Sequence, residues 1–451
     1  MSHISDDCRS FYELRDRRSV EYLARNIDRL RPVHLVIGPS TATSAAGQFA
    51  LLALANQVVR TSRRVSFQFP DIAIPLIASS FFGHATLDDE VLAMARAIDP
   101  CGDFVAGAPA EQAISIGVGV PTTGLDWYIG ADRSVASIDR NPLPLGDSPG
   151  SMRGAALASC LGAAAVLREQ LGLGSSPRRI SAWNFAEGSN ADAGPDSLES
   201  LDIGRVLMVG AGAVGAAVAY WLHEFGVAGS DWVVVDGDLV ELHNTNRGLL
   251  FFPSHAGWLT GKKEKKSGIV ASAIGASHHQ AMYHECDDLV EREFDVVLAL
   301  ANDHSIRETL THLNAAVSFQ ATTGENWLSQ LHRHILGRDG CIWCRTGEVK
   351  TPVFGCSTTV TVAPDGTKAD AALPFLSAAS GLMLVTALQR LSSGDIGAIA
   401  ENCWSWDFGS EFRMAGRPAF RHCREGCLLR PSRSNQLRLV AGTRWASLVE
   451  S

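Results

Sequence analysis

The apolar positions along the chain follow two alternating rhythms. Short runs rich in β-branched residues, such as VHLVI at 33–37 and RVLMV at 205–209, each lead into a small-residue turn. A longer stretch with apolar positions at helical spacing comes next, and another β-branched run closes the unit. Strand, turn, helix and strand in this order predict βαβ units. The first unit opens with VHLVIGPSTATSAAGQFALLALANQVV, residues 33–59, and closes in RRVSFQF. The second is RVLMVGAGAVGAAVAYWLHEFGVAGSDWVVVDGD, residues 205–238. A later strand, FDVVLALA, covers 294–301, and a helix pattern begins near Pro374. The layout implies an α/β chain with mostly parallel sheets and two versions of one architecture.

Between the two units lies SSPRRISAWNFAEGSNADAGPDSLESLD, residues 175–202, whose second half is rich in Gly, Ser, Asp and Asn. It is the best linker candidate, with a boundary near residue 198. Two domains are therefore expected, 1–198 and 199–451. The stretch AALASCLGAAAVL at 155–167 is shorter than the roughly 20 residues that span a bilayer, and reads as a buried helix. The N-terminus MSHISDDCRSFYELRDRR is charged and lacks a signal-peptide core. A cytoplasmic protein with reduced thiols and no membrane partner is expected. Beyond Leu428 one run, QLRLVAG, is strand-like.

Composition narrows the function classes. The 451 residues leave room for two or three domains. Lys and Arg total 39 against 48 Asp and Glu, a net charge of −9. That argues against a general nucleic-acid binder, which needs a basic face to displace counterions. A local basic site stays open.

The chemistry begins at Gly210, Gly212 and Gly215, between a strand and a helix. The first glycine permits a tight turn, the second lets backbone approach a phosphate, and the third lets helix and strand pack closely. The helix N-terminus offers free N–H groups and partial positive charge to an anion. Asp236 ends the next strand, where dinucleotide-binding folds contact a ribose hydroxyl. To this point an NAD-dependent dehydrogenase fits equally well. The run VVVDGDLVELHNTNRGLLFF, residues 233–252, separates the readings. It places Asp236, Asp238, Asn244 and Arg247 at fixed spacing before the lysine-rich GKKEKKSGIVASAI.

This combination resembles the ThiF, MoeB and ubiquitin-activating E1 superfamily over roughly residues 203–427. DGDLVELHNTNR matches the family's DxDxVxxxNxxR, and Gly248 stands where glutamine is usual. The resemblance implies two Rossmann-like domains, the second active and carrying a structural zinc site. It implies ATP with Mg²⁺, Arg247 on the phosphates and Asn244 helping to organise them. The phosphate lysine is expected to be Lys266, where the helix pattern starts, with Lys262, Lys263 and Lys265 still open. Asp303, after the strand at 294–301, is expected to hold Mg²⁺, with a helix N-cap as the plainer alternative. His304 replaces the family's asparagine.

Ten cysteines divide into groups. Cys341 and Cys344 form CIWC, and Cys423 and Cys427 form CREGC, a spacing that suits one closed tetrahedral zinc site. Cys356 lies in a crossover segment at about 345–373, where thioester-forming E1 proteins carry their nucleophile. The alternative for Cys356 is a small buried hydrophobe. Cys160 reads as core, and Cys8, Cys101, Cys286 and Cys403 have no comparable context.

By the same resemblance, 1–198 is an inactive adenylation-like domain. Such sites often borrow an arginine, and Arg15, Arg17 and Arg18 are candidates, each with an ordinary exposed charge as the alternative. The implied activity is adenylation of the C-terminal carboxylate of a ubiquitin-like protein, then a Cys356 thioester and transfer to an E2-like partner. A bacterial protein in a phage-defence operon is one context, and a homodimer is left open. The alternatives are ThiF/MoeB-type adenylation of a sulfur carrier or small carboxylate without a thioester, an NAD-dependent oxidoreductase, and a non-catalytic zinc-bearing scaffold.

Overall fold

The β-branched runs form the strands that the periodicity predicts, and they assemble into two sheets of the same design. The computed structural model describes residues 6–16, 30–198, 200–226, 231–290, 292–301, 306, 310, 315–324, 327–341, 344, 360–362, 368–370, 373–396, 399–409, 423, 427, 435, 438 and 440–450. After helix α1, Asp6–Arg15, the first sheet draws on β1 Val33–Ile37, β2 Arg64–Gln68, β3 Asp103–Ala106, β4 Ile114–Val118, β5 Trp127–Asp132, β6 Val135–Asp139 and β7 Arg178–Ser181. Its order is β3-β2-β1-β4-β5-β6-β7. The second sheet draws on β8 Arg205–Val209, β9 Asp231–Val235, β10 Ser277–His279, β11 Val296–Ala299, β12 Val317–Gly324 and β13 Leu328–Ile335. A separate antiparallel pair, β14 Val360–Val362 and β15 Lys368–Asp370, lies in the crossover segment. The second sheet closes with β16 Cys403–Asp407, in the order β10-β9-β8-β11-β12-β13-β16.

Each sheet begins with five parallel strands and ends in two antiparallel pairings. In each, the chain leaves the central strand to one side, then returns to the other side for the fourth strand. That reversal creates a crevice at the carboxyl ends of β1 and β4, and another at the ends of β8 and β11. The α/β class and the mostly parallel sheets agree with the pattern read from the sequence.

Helices pack the sheets together. Short α2, Pro39–Ala42, and α3, Ala45–Val58, follow β1, and α4, Leu87–Ile98, follows β2. The alanine-rich α5, Ser151–Gln170, precedes β7. In the second half α6, Ala213–Glu224, follows β8, α7, Lys266–Ile274, precedes β10, and α8, Pro374–Ser392, precedes β16. Small residues let the helices approach closely. A Cβ on Gly381 of α8 would meet Ala217 and Val218 of α6 at 2.8–2.9 Å. Helix α8 also packs on α5 of the first half. It is long and apolar enough to cross a bilayer, yet is almost wholly buried in the core.

The two halves share one apolar core, which runs from Phe11 through both sheets to Val440. Arginines stitch the halves by donating to backbone carbonyls: Arg168 to Phe408 and Gly409, Arg178 to Asp407, and Arg390 to Trp183. In the run QLRLVAG, residues 438 and 440–442 are described, and none of them is strand. Its described residues are helical or in a turn. Arg444 instead ties the segments that lead into β8 and β11, bidentate on Asp202 and with its N–H on Asp295.

Candidate nucleotide crevice and cysteine cluster

The glycines do the separate jobs that the loop requires. Gly210 adopts φ +106°, and a Cβ there would lie 2.4 Å from the Ala301 nitrogen, so only glycine lets the β8 and β11 ends meet. A Cβ on Gly215 would lie 2.3 Å from the Gly210 carbonyl, so helix and loop touch. A Cβ on Gly212 would meet nothing within 4 Å, which leaves open space at the N-terminus of α6. No side chain caps that helix. Its first-turn N–H groups can therefore serve an anion.

Asp236 braces this loop. Its carboxylate accepts the Ala211 N–H at 2.7 Å and the Asp238 N–H at 2.9 Å. Burial raises its pKa, while nearby Lys266 and the two amide bonds pull it back. Besides the ribose position expected from sequence, Asp236 thus ties the glycine turn to the acidic loop.

That loop leaves the sheet and folds back on itself. The Val240 N–H donates to Glu264, Leu239 bridges Lys265, and Ala256 bridges Lys263. The return brings Lys266 beside Asp238: Nζ lies 2.7 Å from Oδ2, and the Lys266 N–H donates to the Asp238 carbonyl. Lys266 opens α7, as expected, and its side chain is only 10% exposed. Lys263 pairs with Glu241 instead. The Asn244 side chain accepts the Glu241 N–H at 2.9 Å and holds a short turn at Leu242–Asn244. Arg247 is buried and donates to the His243 carbonyl and to Asn246. Asp303 and its neighbour His304 lie outside the described residues.

Among the described residues the equivalent place in the first sheet is filled. After β1 the chain makes the helical turn α2. Thr41 Oγ1 donates to the Gly119 carbonyl at the end of β4, and a Cβ on Gly38 would lie 2.4 Å from the same carbonyl. Ser44 Oγ accepts the Gly47 N–H, so α3 has a side-chain cap where α6 has none.

The four cysteines Cys341, Cys344, Cys423 and Cys427 converge, with all sulfurs within 4.8 Å of one another. Cys341 Sγ and Cys427 Sγ are 3.8 Å apart. Zn–S bonds of about 2.3 Å in a tetrahedron put sulfurs about 3.8 Å apart, so this cluster can hold one zinc ion. A hydrogen bond donated by Cys341 lowers the Cys423 thiol, the direction that favours a thiolate ligand. Cys356 lies outside the described residues.

Two expectations need correction. Cys8 and Cys101 are not reduced thiols without a task; they form a disulfide with a Cα–Cα distance of 5.6 Å. Their separation of 93 positions is bridged because α1 folds back on the turn after α4, which no spacing rule reveals. Arg15 is neither an exposed charge nor a spare cation. It is buried, with Nη1 2.7 Å from Asp99 and Nε 2.8 Å from Asp16. Burial alone would lower its pKa, but Asp16 and Asp99 outweigh that and hold it above the usual range. Arg17 and Arg18 lie outside the described residues. Cys160 is free and buried, as a core residue should be, and burial raises its thiol.

The first half contributes contacts that no local motif marks. Arg60, just past α3, donates to the carbonyls of Thr245, Leu249 and Phe251, and Asn56 donates to Leu249 as well. Phe11 of α1 packs on Trp258 at 5.1 Å. An arginine ending an apolar helix reads as a surface charge in one dimension, so no local signal marks it.

Fold and crevice together define a Rossmann-like protein of the ThiF/E1-like superfamily. More narrowly, residues 188–427 match the ThiF family, and the chain belongs to it. Membership supports an ATP-dependent adenylyltransferase acting on a carboxylate. Among solved structures the chain is similar to E. coli MccB, at 14% identity and TM-score 0.38, over 51% of this chain and 66% of MccB. It is similar to E. coli MccB with ATP, at 16% identity and TM-score 0.37, covering 51% and 67%. For E. coli MccB with AMPCPP and selenomethionine MccA the values are 17%, 0.37, 51% and 68%. These likenesses are too distant to carry residue roles across. No curated protein matches the chain in sequence.

Proposed function

We propose that this chain is an E1-like enzyme that activates a ubiquitin-like protein with ATP. The observation that carries the reading is the acidic loop of a ThiF-family chain, folded so that Asp236, Asp238 and Lys266 are bonded together beside an open glycine crevice. In this reading 199–451 is the active adenylation unit. Residues 1–198 are its inactive counterpart, whose crevice Thr41 fills.

The triphosphate lies against the free N–H groups at Gly212 and the start of α6. A carboxylate oxygen of the partner's C-terminal glycine attacks the α-phosphorus. The P–O bond to the β-phosphate breaks, and pyrophosphate leaves with the electron pair. Lys266 and Arg247 stabilise the charge that develops on the phosphate oxygens, because fixed cations in a water-poor site need no reorganisation at that moment. Asn244 holds the turn that carries Arg247. Mg²⁺ at Asp303 belongs to this proposal through the family resemblance alone. The Cys356 thiolate then attacks the acyl carbon, AMP leaves, and the thioester passes to an E2-like cysteine. Zinc on Cys341, Cys344, Cys423 and Cys427 would be structural, since four thiolates leave no position for water.

The test is incubation of the purified chain with ATP and the ubiquitin-like protein encoded by a neighbouring gene. ATP–pyrophosphate exchange and a reducible covalent adduct are expected, the adduct lost in Cys356→Ala. An adduct that survives in Cys356→Ala overturns the cysteine assignment. Exchange with no adduct in the wild type leaves an adenylyltransferase of a sulfur carrier or small carboxylate. Absence of exchange overturns adenylation of that partner.

A further inference from the structure

We infer that Arg60, contributed by the first half, is a positioning residue that holds the Asn244–Arg247 segment of the second half in its working shape. The inference rests on the adenylation reading for its catalytic consequence and on geometry alone for the positioning itself.

The segment needs an outside brace. Residues 241–251 are a succession of turns: the Asn244 N–H donates to Glu241, the Gly248 N–H to Asn244 and the Phe251 N–H to Gly248. The carbonyls of Thr245, Leu249 and Phe251 are turned toward one centre instead, and the Arg60 guanidinium occupies it. Nη1 donates to Thr245 and, at 3.0 Å, to Phe251. Nη2 donates to Leu249 at 2.9 Å, and Nε donates to Asn56 Oδ1 at 3.0 Å. Asn56 returns its own amide to Leu249. Two residues of α3 and its end thus grip the backbone on both sides of Arg247.

The chemistry of the grip favours a task beyond packing. Arg60 is 1% exposed, and among the described residues it makes no ion pair with a carboxylate. Burial pulls its pKa down to about 9, and Arg15 nearby pushes the same way. A buried cation with only neutral partners is costly to keep. A planar fork that binds several carbonyls at fixed angles is the one property that neither lysine nor an amide reproduces. The grip ties the two halves together: Asn56 and Arg60 of the first half brace a loop of the second.

The test uses the full chain and Arg60→Lys, which keeps the charge and removes the fork. Asn56→Leu serves as a gentler second variant. We expect kcat for ATP–pyrophosphate exchange to fall at least about tenfold in Arg60→Lys, with KM for ATP moving by less than about threefold, since a misplaced Arg247 affects the transition state more than the ground state. In an Arg247→Ala background the same substitution should cost less than about twofold, because its effect has already been removed. Hydrogen exchange should accelerate across 244–251 and not in β12 or β13. Wild-type kcat in Arg60→Lys, or full additivity with Arg247→Ala, overturns the inference. If the wild-type chain shows no exchange of pyrophosphate, the adenylation reading fails. Hydrogen exchange then decides alone: unchanged protection of 244–251 in both variants sinks the positioning role, and local loss of protection sustains it.

Discussion

The crevices of the two sheets occupy equivalent places and differ in what stands in them. At β1 and β4 the chain inserts a proline-led helical turn, Thr41 bonds across to Gly119, and Ser44 caps the next helix. At β8 and β11 two glycines replace that turn, the helix has no side-chain cap, and the space at Gly212 is open. Strand order, strand direction and the following helix are alike. A few small side chains therefore decide whether the switch point of a shared topology can receive an anion. Fold alone confers no chemistry; the occupant of one turn does.

This contrast can be broken or sharpened in several ways. The largest effect is expected from removing the two cations that the adenylation reading assigns to the second crevice. Arg247→Ala and Lys266→Ala should each lower ATP–pyrophosphate exchange by about 10²–10³-fold, measured by radiolabelled pyrophosphate incorporation. Normal exchange in both would remove the distinction between the crevices. Next, Gly212→Val fills the open space, and ATP affinity by calorimetry should drop about 10²-fold while Tm holds, the loss matching about 2.7 kcal/mol. Its counterpart, Gly119→Ala, should behave in the opposite way. That glycine has φ +56° and a Cβ would lie 2.1 Å from Thr41 Oγ1. Stability should fall by about 2–3 kcal/mol with ATP affinity retained in the folded fraction.

Zinc removal comes third. If free zinc stands a hundredfold above its Kd, chelation should cost about 2.7 kcal/mol of stability, read as a lower Tm that returns with added zinc. Cys423→Ser should abolish that response. The smallest effect is a pH dependence across the seam between the halves. Glu224 ends α6, and burial, with repulsion from Glu90 of the first half, raises its pKa from 4.5 to about 8. The folded state then holds a proton that the unfolded state releases, so stability is full below about pH 4.5 and is lost as pH rises toward 8. The slope is at most about 1.4 kcal/mol per pH unit. Glu224→Gln should flatten this part of the Tm–pH curve, and an unaltered slope would assign it to other groups.

Much of the second half was legible in one dimension because its chemistry is written in neighbouring residues. Gly210, Gly212 and Gly215 fall within six consecutive positions, and Lys266 stands just before a helix pattern, at the start of α7. The cysteine cluster was legible from two close pairs whose only common geometry is a tetrahedron. The contributions that escaped notice all join distant positions. Arg60 meets Thr245 across 185 residues, and Cys8 meets Cys101 across 93. Arg15 kept the look of an exposed helix charge because Asp99, its partner, comes 84 positions later. The alternation in QLRLVAG is too short to separate a strand from a turn of helix, and its described residues are helical or in a turn. Local spacing encodes motifs, while the supports beneath them are set by tertiary contact.

The grip of Arg60 on the Thr245–Phe251 segment also has a kinetic meaning. Where a brace arrives on a second molecule, dilution dissolves it, and specific activity falls with protein concentration. Here brace and loop share one chain and one apolar core, so their meeting is unimolecular at any dilution. The chain should keep constant specific activity down to concentrations at which a weakly held dimer would have come apart.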